Sequence, residues 1–362
     1  MTKIRVLVVD DSLFMRRIIS DILSRDPQIE VIGIASNGLE GYEKTLELSP
    51  DVVILDVQMP VMDGLTALKK IMQDKPTPVI MFSALTKKDA LVTIRALEYG
   101  AVDFLAKPYG PISLDLSSVA EDLIRKVKAA AIAKIRMFKF PKAITIKRRP
   151  KPLYGESPPV AVAIAASTGG PSALREVLAK IPGDVPAAFL IVQHMPPFFT
   201  KVLAEHLDAR SELKVKEAEN GELVMPGVAY IAPGDYHMEV IKVGKIVRIR
   251  LNKGPKINNV RPSADPLMIS VAKAFGVNSV GIVLTGMGSD GAIGMRAIKE
   301  AGGRTIVQDE ETCVVPGMPL AALKLGVVDK VLPIWDIGDA VIQEIRTRSL
   351  KYVQRERLPG YV

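Results

Sequence analysis

Ile4-Arg5-Val6-Leu7-Val8-Val9-Asp10-Asp11 is a short apolar run that stops on two carboxylates. It reads as a strand, and the same figure recurs three times in the next hundred residues. Val52-Val53-Ile54-Leu55 ends on Asp56, Val79-Ile80-Met81-Phe82 on Ser83, and Val102-Asp103-Phe104-Leu105-Ala106 on Lys107. Between the runs lie amphipathic stretches. After Asp11, for example, Met15, Ile18, Ile19, Ile22 and Leu23 fall on one helical face. This alternation predicts an α/β domain with a parallel sheet covered by helices over about the first 125 residues. Its last helix, marked by Leu116, Val119, Ala120, Leu123, Ile124 and Val127, is expected to continue through Ala129-Ala130-Ala131 towards Phe138. In an open parallel sheet, ligands meet the chain at the carboxyl ends of strands, so the five polar residues are expected to share a site.

Their chemistry suits a phosphoacceptor. A carboxylate accepts a phosphoryl group only where cations and donors neutralise the phosphoryl oxygens. Asp10 and Asp11 supply hard oxygen ligands suited to Mg²⁺, which prefers one or two carboxylates plus water and phosphate oxygens. Asp56 is then the acceptor, Lys107 a point charge for the phosphoryl group, and Ser83 a hydroxyl placed to bond it. Singly, these residues have duller roles, such as helix capping or ending a strand. Together, in this order and each at a strand end, they resemble the receiver domain of bacterial response regulators. The texts Asp56-Val57-Gln58-Met59-Pro60, Met62-Asp63-Gly64 and Lys107-Pro108 strengthen that resemblance, which covers residues 4 to about 123. It implies a flavodoxin-like fold, Mg²⁺ at Asp10, Asp11 and Asp56, phosphotransfer from a histidine kinase to Asp56, and a switch in which Ser83 and Phe104 move.

The 362-residue length favours two domains, each with its own core. Cys313 is the one cysteine and cannot form an internal disulfide; with no signal-like opening, a reducing, cytoplasmic compartment is expected. No apolar run approaches the roughly 20 residues of a membrane-spanning helix, so membrane insertion is not expected. The net charge of +8 is unevenly spread. Residues 1–125 carry a net −4, residues 126–155 a net +10, and the remainder +2. The basicity therefore sits in one connecting segment, residues 126–155, whose Pro-containing part from about Lys139 to Pro159 is read as an interdomain linker rather than a nucleic-acid arm.

A second βα series follows. Strand-like runs are Val160–Ala165, Ala187–Val192, Val228–Ala232, Ser279–Leu284 and Arg304–Val307, with helical stretches such as Ser172–Ala179 and Pro266–Ala274. His237–Lys242 and Lys245–Arg250, flanking Val243-Gly244, read as an antiparallel hairpin. The expectation is a second doubly wound α/β/α domain with a mainly parallel sheet. The boundaries are receiver 1–125, helix extension and basic linker 126–158, catalytic domain 159–347 and polar tail 348–362.

Ala165-Ala166-Ser167-Thr168-Gly169-Gly170-Pro171-Ser172 follows a strand and opens a helix. Glycines there suit a phosphate cradle, but neither Gly-x-Gly-x-x-Gly nor Gly-Lys-Ser/Thr is present. The rival reading is a nucleophile turn presenting Ser167, with backbone N–H groups ready for an oxyanion. That reading requires a histidine and an acid at other strand ends. His194 follows Ala188–Gln193, and Asp290 follows Val280–Leu284 through Thr285-Gly286-Met287-Gly288-Ser289. Of the other histidines, His206 lies in a helical stretch and reads as structural, while His237 precedes the hairpin and is a candidate to line the cleft. Cys313 reads as a buried small hydrophobe.

This half resembles the catalytic domain of chemotaxis protein-glutamate methylesterases. The matching pieces are Ala166–Pro171, Gln193-His194-Met195-Pro196, Pro233-Gly234 with His237-Met238, Arg261-Pro262-Ser263 with Asp265, Thr285–Gly288 with Asp290-Gly291, and Gly317-Met318-Pro319. The resemblance implies Ser167 as nucleophile, His194 as general base and acid, Asp290 as orienting carboxylate, and oxyanion donors near Thr168 and Met287. It implies hydrolysis of glutamate γ-methyl esters on chemoreceptors and deamidation of receptor glutamines, with no cofactor expected for that chemistry. Because both sites lie at carboxyl ends of strands and a linker joins the domains, the receiver is expected to cover the cleft until phosphorylated. The alternatives are a response regulator whose output domain binds DNA, which the near-neutral second half disfavours, or binds a nucleotide.

Overall fold

The computed structural model describes residues 3–84, 86–107, 116–133 and 158–357. The chain divides into two compact units, Met1–Lys142 and Ala143–Val362, a division that falls inside the segment read as linker. Residues 134–157, which hold most of that segment, lie outside the described residues.

The first unit alternates strand and helix: β1 (Ile4–Val9), α1 (Leu13–Leu23), β2 (Ile29–Ala35), α2 (Gly38–Leu48), β3 (Val52–Asp56), α3 (Gly64–Asp74), β4 (Val79–Ser83), α4 (Lys87–Glu98), β5 (Asp103–Ala106) and α5 (Leu116–Ala131). The strands form one parallel sheet in the order β2-β1-β3-β4-β5, a flavodoxin-like arrangement. Val52 to Asp56 and Val79 to Ser83 are buried at every position, as expected of strands covered on both faces. The helices start where short polar side chains cap them: Ser12 accepts from Met15 N–H, Asn37 from Glu40, Asp63 from Thr66 and Thr86 from Asp89.

The second unit runs β6 (Val160–Ala166), α6 (Gly170–Leu178), β7 (Ala187–Gln193), α7 (Phe199–Asp208), β8 (Lys214–Glu217), β9 (Val228–Ile231), β10 (His237–Val243), β11 (Ile246–Asn252), α8 (Ala264–Phe275), β12 (Ser279–Val283), α9 (Ala292–Glu300), β13 (Arg304–Gln308), α10 (Gly317–Lys324), β14 (Lys330–Leu332) and α11 (Ile334–Arg357). Its main sheet has the order β14-β13-β12-β6-β7-β9-β8, with every neighbouring pair parallel. β6 is alanine-rich and buried throughout, and so is β7. Because β7 lies on one side of β6 and β12 on the other, the strand order reverses at β6, and the crevice beyond its carboxyl end is where such folds bind ligands.

Two expectations are corrected. Val243 pairs with Ile246, so the hairpin turn is Gly244-Lys245 rather than Val243-Gly244. Gly244, at φ 60°, takes the left-handed position that a two-residue hairpin turn requires. β10 and β11 form a separate two-stranded sheet, tied to α8 by Val240 N–H donating to Ser270 Oγ at 3.0 Å. The segment 348–362 is not simply a tail, because α11 extends to Arg357. Arg348 explains part of this: its Nε lies 3.7 Å from Glu344 one turn back, and its guanidinium reaches Val277 O. Residues 358–362 lie outside the described residues.

Candidate active site

Parallel register brings the ends of three strands together. Ala166 of β6 pairs with Gln193 of β7, and His194 N–H donates to Ala166 O at 3.1 Å. On the other side, Leu284 N–H donates to Ala165 O at 2.9 Å and Ser167 N–H to Thr285 O at 3.0 Å. Ser167 thus stands between the segment carrying His194 and the loop leading to Asp290, and is only 7% exposed. Its carbonyl accepts Gly170 N–H at 2.7 Å and Gln193 Nε2 at 2.9 Å, which fixes the turn into α6. Gly286 has to be glycine, because a Cβ there would come within 2.7 Å of Ser167 Cβ and overlap Met318 Sδ. Thr168 is buried and its carbonyl accepts Thr285 Oγ1 at 2.9 Å, while Met287 follows Gly286 in the same loop.

His194 Nε2 lies 2.8 Å from Asp290 Oδ2. That bond leaves Nδ1 as the nitrogen with a free lone pair, the form a general base requires. Among the described residues, no hydrogen bond joins the Ser167 hydroxyl to His194; the two adjoin through backbone pairing. Such bonds commonly tighten only with substrate in place.

The amino end of α8 holds Asp290. Its Oδ1 accepts the Ser263 hydroxyl at 2.5 Å and Asn258 Nδ2 at 2.9 Å, and its Oδ2 accepts Ala264 N–H at 2.6 Å. A helix amino terminus favours a negative charge. Burial pushes the carboxyl pKa up, but the His194 bond and the donors of α8 outweigh it and bring it down to about 2. Asn258 also donates to Asp265 Oδ2 at 2.9 Å, and Asp265 Oδ1 accepts Gly294 N–H at 2.8 Å. Burial foremost holds the Asp265 pKa above its ordinary value, with the Asp290 charge adding to the effect.

Reasoning from sequence missed Asn258 and Ser263 as supports of Asp290. The available signal was Ser263 followed by Asp265 ahead of an apolar stretch, a helix-start pattern. His237, the candidate for the cleft, is engaged in the support of α8. It is buried, with Nε2 3.0 Å from Pro255 O and Nδ1 accepting Ser263 N–H at 3.2 Å, so it steadies the residue that bonds Asp290. His206 lies on α7 beside Arg210, and Cys313 is buried.

In the first unit, Lys107 Nζ sits 2.9 Å from Asp10 Oδ2 and 2.8 Å from Asp56 Oδ2. The carboxylates of Asp10, Asp11 and Asp56 have oxygens within 4.8 Å of one another. Asp10 Oδ2 is buried and, apart from the nearby Lys107 charge, lacks a directed hydrogen bond. A hard-oxygen cluster with such an atom fits a divalent cation. Burial drives the Asp56 pKa up to about 6 against the pull of Lys107. Burial also works to lower the Lys107 pKa, but the two carboxylates outweigh it and hold it above its ordinary value. Gly64 lets the loop after β3 close, since a Cβ there would overlap Asp56 O. The Ser83 hydroxyl accepts from Thr93 Oγ1 of α4 at 2.8 Å. Phe104 is buried, with Lys126 Nζ 5.3 Å from its ring centroid. Among the described residues, no helix is long and apolar enough to cross a membrane.

Comparison with known proteins agrees with both units. A family model described as "CheB methylesterase" matches residues 162–341, and one described as "Response regulator receiver domain" matches residues 6–117. The chain is 50% identical over 352 residues to a protein-glutamate methylesterase/protein-glutamine glutaminase of Pyrococcus horikoshii, covering 95% of this chain and 94% of the relative. It is 49% identical to one of Archaeoglobus fulgidus, covering 95% and 99%. The crystal structure of the Thermotoga maritima CheB methylesterase catalytic domain is similar at 46% identity with a TM-score of 0.50, covering 51% of this chain and 97% of that one. These matches disfavour a DNA-binding or nucleotide-binding output domain. The chain belongs to the protein-glutamate methylesterase/protein-glutamine glutaminase family, with a response regulator receiver domain ahead of a CheB methylesterase domain.

Proposed function

We propose that this chain hydrolyses glutamate γ-methyl esters on chemoreceptors, releasing methanol, and deamidates receptor glutamines, in a chemotaxis adaptation switched on by phosphorylation of Asp56. The observation that carries the reading is the His194–Asp290 pair set beside Ser167 at adjoining strand ends. His194 Nδ1 takes the Ser167 proton as Oγ attacks the γ-carbonyl carbon, and backbone N–H groups near Thr168 and Met287 meet the oxyanion. Methanol, or ammonia from a glutamine, leaves with the proton from His194. Water then attacks the acyl-serine with His194 again as base. One site thus serves an ester and an amide.

In the receiver, Asp56 accepts the phosphoryl group from a histidine kinase, and Lys107 and Ser83 bond its oxygens. Asp10, Asp11 and Asp56 would hold Mg²⁺, which when bound neutralises charge on the transferring group. A Ser83 that turns to the phosphoryl group gives up its bond to Thr93 of α4, while Phe104 is proposed to move with it. The cytoplasm is the proposed compartment for a protein that meets both kinase and receptor tails.

The test is methanol release from membranes bearing methylated receptors, with and without a small phosphodonor. Ser167→Ala is expected to lower hydrolysis at least about a thousandfold while Asp56 is still phosphorylated. Hydrolysis that survives this substitution would refute the nucleophile assignment.

A further inference from the structure

The segment after His194 runs Met195-Pro196-Pro197-Phe198 into α7, and Phe198 combines two unfavourable features. Its φ of 71° lies in the left-handed region that favours glycine, and the residue is 66% exposed. The frame around it is firmly held. Met195, Phe199 and Thr200 are buried, and Thr200 Oγ1 donates to Glu217 Oε1 at 2.6 Å and accepts Gly234 N–H at 3.1 Å. Gly234 lies so close to Pro196 and Pro197 that a Cβ would overlap them. A strained aromatic residue is therefore presented outwards from a rigid loop, four positions from the residue read as the base. Strain and apolar exposure together point to a contact made in a complex.

Two more exposed apolar residues adjoin members of the Asp290 network along the chain. Ile257, 38% exposed, precedes Asn258, which donates to Asp290; Ile293, 47% exposed, follows Asp290 in the first turn of α9. A glutamate side chain that reaches the nearly buried Ser167 brings the backbone carrying it to this rim. Resting on the function proposed above, we propose that Phe198, with Ile257 and Ile293, docks the protein substrate by gripping apolar side chains that flank the esterified glutamate.

The experiment compares two substrates with phosphodonor present: membranes bearing methylated receptors, and a blocked single-residue glutamate γ-methyl ester. Phe198→Gly in the full chain is expected to raise KM for receptor about tenfold with kcat unchanged, and to leave the small ester unaffected. Relief of backbone strain should raise Tm by roughly 2–4 °C. Phe198→Tyr should keep the wild-type KM. An unchanged receptor KM in Phe198→Gly would overturn the inference, as would an equal loss on both substrates, which would mark a merely structural role. Raised activity of Phe198→Gly without phosphodonor would instead assign the ring to contact with the receiver. No methanol from either substrate with the wild type would remove the functional reading itself, and this inference with it.

Discussion

At Asp290 both carboxylate oxygens are filled: Oδ1 by Ser263 and Asn258, Oδ2 by Ala264 N–H and His194. A carboxylate with its lone pairs so occupied has no room for a proton, so in the proposed mechanism the one taken from Ser167 rests on His194 until it leaves with the product. The same bonds make a stability prediction. The folded-state pKa of about 2 lies below the ordinary 3.8, so the unfolded chain takes up the proton first as pH falls. Asp290 thus contributes about 2 kcal/mol that is fully present above pH 3.8 and lost as pH falls through about 2. Urea titrations of wild type and Asp290→Asn are expected to show the gap between them closing over that window. A constant gap would count against this account. The pairing of His194 with Asp290 beside Ser167 could be anticipated from the sequence because each residue lies in the segment that follows a strand. The roles of Asn258 and His237 could not, because they arise only once α8 and the hairpin have docked beside Asp290.

Among the elements, α8 links packing to chemistry, since its amino end carries the donors that fix Asp290. Ser263→Ala removes one buried charged hydrogen bond and is expected to cost about 1–3 kcal/mol of stability. It should also lower kcat about tenfold with KM little changed, because the acid loses its fixed position. Thermal unfolding and steady-state kinetics check the two together; loss of stability without loss of kcat would make Ser263 merely a helix cap. The central strands were readable as apolar runs because both faces are covered. β2, β8 and β14 are short or half-exposed, so their composition carries little signal. The end of α11 was misread as a tail because its residues are largely polar, and polarity alone does not separate a surface helix from a loop.

For the whole molecule, switching by phosphate predicts two outcomes. Deleting residues 1–138 should raise methanol release in the absence of phosphodonor, and acetyl phosphate should stimulate the full chain but not Asp56→Asn. A truncated chain no more active than the resting full chain would contradict control by the receiver. The two domains were legible from the repeated βα pattern and the basic stretch between them. The turn-by-turn assembly of each site was not, because it depends on strand register. Register also sets a timetable. In the receiver, β1 pairs with β3 across fewer than about 50 residues, as Val6 does with Val52. In the catalytic unit, β6 must wait for β12, whose Ser279 pairs with Ala161 118 positions earlier. Non-local pairing slows folding, so on refolding the receiver is expected to recover phosphorylation before esterase activity returns. On the ribosome Ser167, the proposed nucleophile, is made long before Asp290. On the proposed function, a growing or prematurely ended chain that stops short of Asp290 therefore lacks the partner of His194 and is expected to have no esterase activity.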